Sequence, residues 1–496
     1  MQPSGKPALN EMQYIIHVAA EAFPFSKKGG LGDFVGSFPY YLEQASGIPN
    51  IIISPYYGTM GNTCAVIYQS QIYFNGEWYD YEILEAWSGE IRYLFVRFEE
   101  VFTLSEVYPE GNRPYDGEVS LFYFIFAKAI NDFLMKEQFP VRTLFTHDWH
   151  AAAIYLYLRE NRDLRTIHII HNYHHQGEFY SELLDALDEE LPLEYKKGGW
   201  ARSSLSMNQI ALSNTDRVIT VSPGYAKELR EKVAPHLYLE AIDTCQNNLI
   251  GFLNGIDKRV WNPQTDPYLF KKYSVKNLKD KQLNRDFLMN ELGFRDSTKP
   301  IVLFLGRLTQ QKGIDLFINM GTGRYFSPRE RMEQILATGI NLVVCGNSEG
   351  GIKSIVEREF NMIQKHFPSH FRFISTYTEE IAHRLLAGAD ILIHPSRYEP
   401  CGLTPMYAHA YGTVPLVTPV GGLQDIVLNC ITDPERGNGF WMKDYSFLAL
   451  LEILEQSVEW YHNKLEWEGL ITRGMNKNHC WSERVKPYLE LCCDER

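Results

Sequence analysis

Glu399 is an isolated carboxylate among glycine turns, in the stretch SRYEPCGLTPMYAHAYGTVPLVTPVGGLQD (396–425) that follows the apolar run ADILIHP (389–395). A short apolar run so bounded reads as a buried parallel strand. Arg397, Tyr398 and Glu399 then fall just past its C-terminal end, where open α/β sheets place their ligands. Cys401-Gly402-Leu403 turns the chain. Thr404 and Pro405 read as an N-cap hydroxyl with proline at the first helical position. A helix N-terminus at a strand end is an anion site. With the second turn at Gly421-Gly422, the stretch suits a phosphate-bearing ligand that also offers a group to Glu399. Glycines serving only tight packing are the alternative.

Two other stretches carry charge to strand ends. PIVLFL (300–305) reads as a buried strand, and GRLTQQKG (306–313) after it holds Arg307 at the strand end and Lys312 near the next helix. Arginine suits bidentate phosphate recognition and lysine acts as a point charge; a solvated loop is the plain alternative. Near the start, YIIHVAA (14–20) reads as a first strand before a loop with Lys27, Lys28, Gly29, Gly30 and Gly32 and an amphipathic helix. Those glycines permit close backbone approach to a ligand. Their spacing is neither the dinucleotide fingerprint nor a Walker loop. Histidines cluster in HDWH (147–150) and HNYHHQG (171–177), each after a strand. Without helical i, i+4 spacing or a thiolate partner, they speak against a metal site.

The elements that must position these residues exceed one core. At 496 residues two domains are expected, with 45% hydrophobic and 22% charged residues as in ordinary soluble chains. A net charge of -13 argues against a general nucleic-acid or membrane-surface binder. The eight cysteines are scattered without a C-x-x-C pair, which fits a reduced cytoplasmic protein. No apolar signal core or membrane-length run is present. Residues 67–98 alternate around Asn75-Gly76 as a hairpin, and 120–134 reads as a buried helix. Residues 447–467 read as helices.

The run 396–425 resembles the nucleotide-sugar site of the glycogen and starch synthases, retaining glucosyltransferases of two-domain GT-B architecture. The family's K-x-G-G-L signature is matched at 27–31 with Asp33 in place, and its R-L-x-x-Q-K-G motif at 307–313. HDWH, HNYHHQG and GFLNGIDKRVWNPQTD (251–266) resemble further family segments, in the family's order over roughly residues 14–490. HNYHHQG and KPIVLFLGRLTQQKG are closest to the starch-synthase-III-like and cyanobacterial branch. The resemblance implies two Rossmann-like, doubly wound α/β domains facing across a cleft. The expected parts are a first domain over 1–257, a nucleotide-sugar domain over 258–475, and a final helix over 476–496 that returns to the first domain.

The resemblance also assigns roles. Lys27 meets donor phosphate, the backbone at Gly30 approaches the diphosphate, and Asp33 faces the acceptor. His171 lies beside the transferred glucose, and Asp148, Asn172, Gln176 and Asn254 line the sugar pocket. Tyr377 lies against the nucleotide base. Arg307, Lys312 and the Leu403 and Thr404 amides stabilise the leaving diphosphate, while Glu399 binds sugar hydroxyls. The implied reaction moves glucose from ADP-glucose to the non-reducing 4-OH of an α-1,4-glucan with retention, without a cofactor or metal. UDP-glucose, another linkage, or a non-catalytic glucan-binding paralogue are the alternatives. Departures from the family pattern are Gln209 for a lysine, Pro405 for a glutamine and Thr418 for an arginine. A plastid location stays open beside the cytoplasm, and the oligomeric state is unspecified.

Overall fold

The computed structural model describes residues 13–58, 64–98, 107, 117–158, 164–180, 204–236, 239–318, 326–348 and 350–493. The chain divides into two compact units. The first holds residues 1–221, 226–255 and 481–496; the second holds 222–225 and 256–480.

The strands of the first unit are β1 (Tyr14–Val18), β2 (Asn50–Pro55), β3 (Ala65–Phe74), β4 (Glu77–Ser88), β5 (Ile91–Phe98), β6 (Val141–His147), β7 (Arg165–Ile170), β8 (Glu178–Tyr180), β9 (Ser204–Ser206), β10 (Arg217–Thr220) and β11 (Leu249–Gly251). Nine of them, as far as described, form a sheet in the order β11-β10-β7-β6-β1-β2-β5-β4-β3. It is parallel from β11 to β5, with antiparallel pairing only for β4 and β3. The β3–β4 hairpin turns at Asn75-Gly76, both with positive φ as a two-residue turn of the primed type requires. β1 and β2 are apolar and buried because a parallel sheet is covered on both faces. Helix Gly117–Lys136 supplies part of that cover, with Phe122, Phe124, Phe126 and Ile130 buried.

The second unit holds β12 (Ile301–Leu305), β13 (Asn341–Cys345), β14 (Phe371–Ile374), β15 (Ile391–His394), β16 (Val414–Val417) and β17 (Phe440–Trp441). Their order is β14-β13-β12-β15-β16-β17, all parallel. This is the doubly wound order, with its reversal between β12 and β15. One core of Val302, Phe304, Ile335, Val344, Phe360, Ile393 and Leu454 joins sheet and helices.

Three details differ from the sequence reading. The helix after β15 runs Leu403–Ala410, two residues earlier than expected. Gly402 is its N-cap at φ 103, and Thr404 makes no capping bond, so Pro405 is the third helical residue. The C-terminal stretch is not one helix but two short ones, Trp481–Arg484 and Lys486–Cys493. The second unit also extends past 475, because Lys477 Nζ donates to the Ile426 carbonyl and His479 stacks on His409. No helix among the described residues is long and apolar enough to cross a membrane.

Candidate active site

In the second unit, the loops after β12, β13, β15 and β16 meet at the C-terminal ends of the strands. Their glycines set how closely. A Cβ on Gly313 (φ 84) would lie 2.2 Å from the Pro395 carbonyl oxygen, and the Arg397 N–H donates to the Gln311 carbonyl at 2.9 Å. The loop bearing Arg307 and Lys312 therefore lies backbone against backbone on the loop leading to Glu399. A Cβ on Gly422 would fall 2.1 Å from the Cys401 oxygen, and the Gly422 N–H donates to the Glu399 carbonyl.

Glu399 is buried at 6% exposure. Its Oε2 accepts from Lys312 Nζ at 2.5 Å, His394 Nε2 at 2.9 Å and Ser396 Oγ at 2.9 Å. Burial alone would raise its pKa, but the Lys312 charge and the His394 hydrogen bond outweigh that and hold it well below the usual carboxylate range. Burial keeps His394 low, so that ring donates from Nε2 as a neutral imidazole. Glu399 is thus an anion with three bonds on one oxygen, and Oε1 remains to accept from a ligand hydroxyl.

Lys312 accordingly stands in an ion pair, not as an isolated phosphate cation. Arg307 has no hydrogen-bond or ion-pair partner among the described residues. It sits near Tyr398, whose phenol burial pushes up to about 12 against the pull of the Arg307 charge. Arg397, at the same strand end, is spent elsewhere: its Nη2 donates to Asp315 at 2.6 Å and its guanidinium lies over the Tyr445 ring. The Tyr377 N–H donates to Asn347 Oδ1 beyond β13, which puts this tyrosine at the same end of the sheet. Leu403 and Thr404 open the helix, where first-turn amides lack intrahelical acceptors.

In the first unit, β1 has β2 on one side and β6 on the other, and the loops after β1, β6 and β7 carry the expected residues. The helix after β1 starts inside the glycine stretch, at Gly30. Glu21, buried, takes the amides of Lys28, Gly29 and Gly32 on a single oxygen at 2.8, 2.9 and 3.1 Å. A Cβ on Gly32 would lie 2.7 Å from that oxygen, so the glycine is needed for the wrap. Lys27 pairs with Asp33 at 2.6 Å, which joins two residues assigned to different substrates.

Asp148 follows β6 at φ 54, a conformation uncommon outside glycine. Its Oδ1 accepts the His171 and Asn172 N–H groups at 2.7 and 3.2 Å, fixing the loop after β7. Burial raises its pKa to about 7, with those two bonds acting in the opposite direction. Gln176 is turned inward: its amide donates to the Tyr173 carbonyl and its Oε1 accepts from Ser206 Oγ. Asn254 is 3% exposed, and its Oδ1 has no partner among the described residues.

Sequence reasoning passed over Glu21, His17, Asn50, His394 and Ser396. The available signal was a histidine inside an apolar strand, in YIIHV and again in ILIH.

Comparison with known proteins settles the family. Residues 14–242 match the starch synthase catalytic domain, and 285–461 match glycosyl transferases group 1. The glycogen synthase of Thermodesulfovibrio yellowstonii is 32% identical, with 96% of each chain covered. The chain belongs to the glycogen synthase family. The glycogen synthase of Kosmotoga olearia is 31% identical over 96% of this chain and 97% of its own. Among solved structures, the catalytic domain of starch synthase IV from Arabidopsis thaliana, bound to ADP and acarbose, matches at a TM-score of 0.85. That match has 26% identity and covers 97% of this chain and 99% of the other. Sucrose-phosphate synthase from Thermosynechococcus elongatus shares the fold at a TM-score of 0.62 and 16% identity. As a member of the glycogen synthase family the chain is a glucosyltransferase of GT-B architecture.

Proposed function

We propose that this glucosyltransferase moves glucose from ADP-glucose to the non-reducing 4-OH of an α-1,4-glucan with retention of configuration. The observation that carries the reading is the Glu399 cluster at the reversal point of the second sheet. There an anionic carboxylate is held by Lys312, His394 and Ser396 beside Arg307, which has no partner among the described residues, and the start of helix Leu403–Ala410. The related starch synthase IV structure, bound to ADP and acarbose, supports a nucleotide and a glucan as ligands.

In this reading Arg307 and the Leu403 and Thr404 amides oppose the charge that builds on the departing diphosphate. Fixed cations and dipoles aimed at developing charge need no rearrangement during the reaction. Lys312 serves twice, as a diphosphate contact and as the counter-ion that keeps Glu399 ionised. Glu399 offers Oε1 to the glucose hydroxyls and orients the donor. Lys27, Gly30 and Asp33 serve the phosphate and acceptor, Tyr377 the base, and Asp148, His171, Asn172, Gln176 and Asn254 the sugar side, Gln176 from behind the wall. The chemistry runs without a metal or cofactor, in a reducing cytoplasm that keeps the cysteine thiols reduced.

The test is incorporation of radiolabelled glucose into glycogen from ADP-glucose and, in parallel, UDP-glucose, followed by linkage analysis. Label from ADP-glucose in α-1,4 linkage at chain ends is the expected result. Preference for UDP-glucose, another linkage, or no transfer by a folded protein that binds glycogen would each overturn the reading.

A further inference from the structure

Three histidines of the first unit, His17 and His147 buried and His171 half-buried, stand in a row. Asn50 Oδ1 lies 2.9 Å from His17 Nε2, His17 Nδ1 lies 3.2 Å from His147 Nε2, and His147 Nδ1 lies 2.9 Å from His171 Nε2. They come from β1, the end of β6 and the loop after β7. At the far end, the Asn50 Nδ2 group donates to the Ile48 carbonyl at 2.9 Å.

The direction of every bond follows from that carbonyl, which can only accept. The amide NH2 must face it, so Oδ1 faces His17. His17 must then donate from Nε2, leaving Nδ1 as an acceptor, since a neutral imidazole has one donor and one acceptor nitrogen. His147 therefore donates from Nε2 and accepts at Nδ1. His171 likewise donates from Nε2, and its Nδ1 is left with a lone pair. A charged His17 or His147 would place two donors face to face, so the row fixes the Nε2–H of His171, while burial and the neighbouring His168 keep that last ring uncharged. Burial agrees with neutrality: it lowers His17 to about 4, His147 well below the ordinary value and His171 to about 3.

We infer that Asn50, His17 and His147 are positioning residues that lock His171 as a neutral Nε2–H tautomer, so that its Nδ1 meets the ligand only as a hydrogen-bond acceptor. Within the proposed function, on which the ligand side of this inference rests, that acceptor takes the hydrogen of a sugar hydroxyl. It cannot serve as a proton donor or as a cation for phosphate. The row also explains polar side chains inside two apolar strands, which packing alone would not call for. The His17 ring is stacked on Phe145 at 4.8 Å and nearly parallel, so its place is fixed by packing as well as by hydrogen bonds.

The lock is tested without substrate, on full-length protein labelled with nitrogen-15 in its histidine rings. Long-range proton–nitrogen correlation spectra separate Nε2–H, Nδ1–H and doubly protonated rings. All three histidines are expected as Nε2–H at pH 7 and still neutral at pH 5. An Nδ1–H or charged ring at any of them in the wild-type protein overturns the lock, whatever the enzyme's substrate. The functional half is tested by His17→Phe, which keeps a ring against Phe145 but removes the acceptor, beside His17→Asn, whose Oδ1 falls near the lost Nδ1. His17→Phe should populate Nδ1–H at His171 and lower kcat about 10- to 100-fold with KM little changed, as losses behind a contacting residue do. His17→Asn should restore the tautomer and most of kcat. A shifted tautomer with unchanged kcat, or equal loss in both folded variants, would overturn the functional half.

Discussion

At the scale of single residues, the active-site carboxylate and its lysine form one unit. Lys312→Ala removes the proposed diphosphate contact and also leaves Glu399 buried without its counter-ion. Loss of one such charge contact costs about 2.7–4 kcal/mol in the transition state. Glu399→Gln should cost a comparable amount, and the double variant should be no worse than the poorer single one. Buried paired groups show coupling of roughly 0.5–3 kcal/mol. Additive losses in kcat/KM across the four proteins would show that the pair does not act together. Arg307→Ala, by contrast, should lose kcat without coupling to Glu399, since it shares no bond with it.

Asp148 gives a pH prediction. Its folded pKa of about 7 lies above the unfolded value near 3.8, so the native state binds more protons between those limits. Stability from this group therefore falls as pH rises from about 4 to 7. Each pKa unit is worth about 1.4 kcal/mol, so the burden at pH 8 is at most about 4 kcal/mol. An asparagine oxygen can still accept from the His171 and Asn172 amides. Asp148→Asn should therefore raise the urea midpoint at pH 8, leave it nearly unchanged at pH 4, and lower activity. An equal shift at both pH values would show that charge is not the cause.

At the scale of elements, the sheets were legible and the contacts between loops were not. Runs such as NLVVC and VPLV read directly as strands because a parallel sheet buried on both faces leaves no polar alternation. Glu399, Arg307 and Lys312 could be placed at strand ends for the same reason. Their pairing could not, since Lys312 and Glu399 are 87 residues apart. The Glu21 wrap and the histidine row, whose first link spans 130 residues, were hidden likewise. Gly402 in the left-handed region starts the helix two residues before the point that Thr404-Pro405 predicts. Pro405, third in that helix and buried, lacks one of the four amides a helix start offers an anion. Pro405→Ala restores that N–H without adding bulk. It should tighten ADP binding by at most roughly 1.5–3 kcal/mol, the worth of one hydrogen bond to a charged group. Calorimetric titration of ADP into both proteins decides it, and equal affinities would show that this amide does not reach the ligand.

At the scale of the whole molecule, residues 481–496 lie far along the chain from the unit they complete. Trp481 is 1% exposed and meets the rings of Phe34 and Phe38, each at 5.1 Å. Tyr488 is fully buried against Phe38 at 4.5 Å and Phe252 at 5.0 Å. A Cβ on Gly255 would lie 2.7 Å from the Trp481 backbone, so the return is tightly seated. Arg142 Nε and Arg165 Nη1 hold the last turn through the Cys492 and Leu491 carbonyls. Truncating one large buried aromatic to alanine costs about 3–5 kcal/mol, and a domain's whole stability is about 5–15 kcal/mol. A chain ending at Cys480 loses Trp481, Val485 and Tyr488 together, so its first unit should not remain folded. The second unit keeps its own core and all six strands of its sheet. Hydrogen exchange by mass spectrometry should therefore show protection lost over β1, β2 and β6 and retained over β12, β13 and β15. Tyr488→Ala should show the same pattern in milder form, as faster exchange confined to the first unit. Loss of protection across both sheets, or in neither, would refute the assignment of the C-terminal segment as a part of the first core.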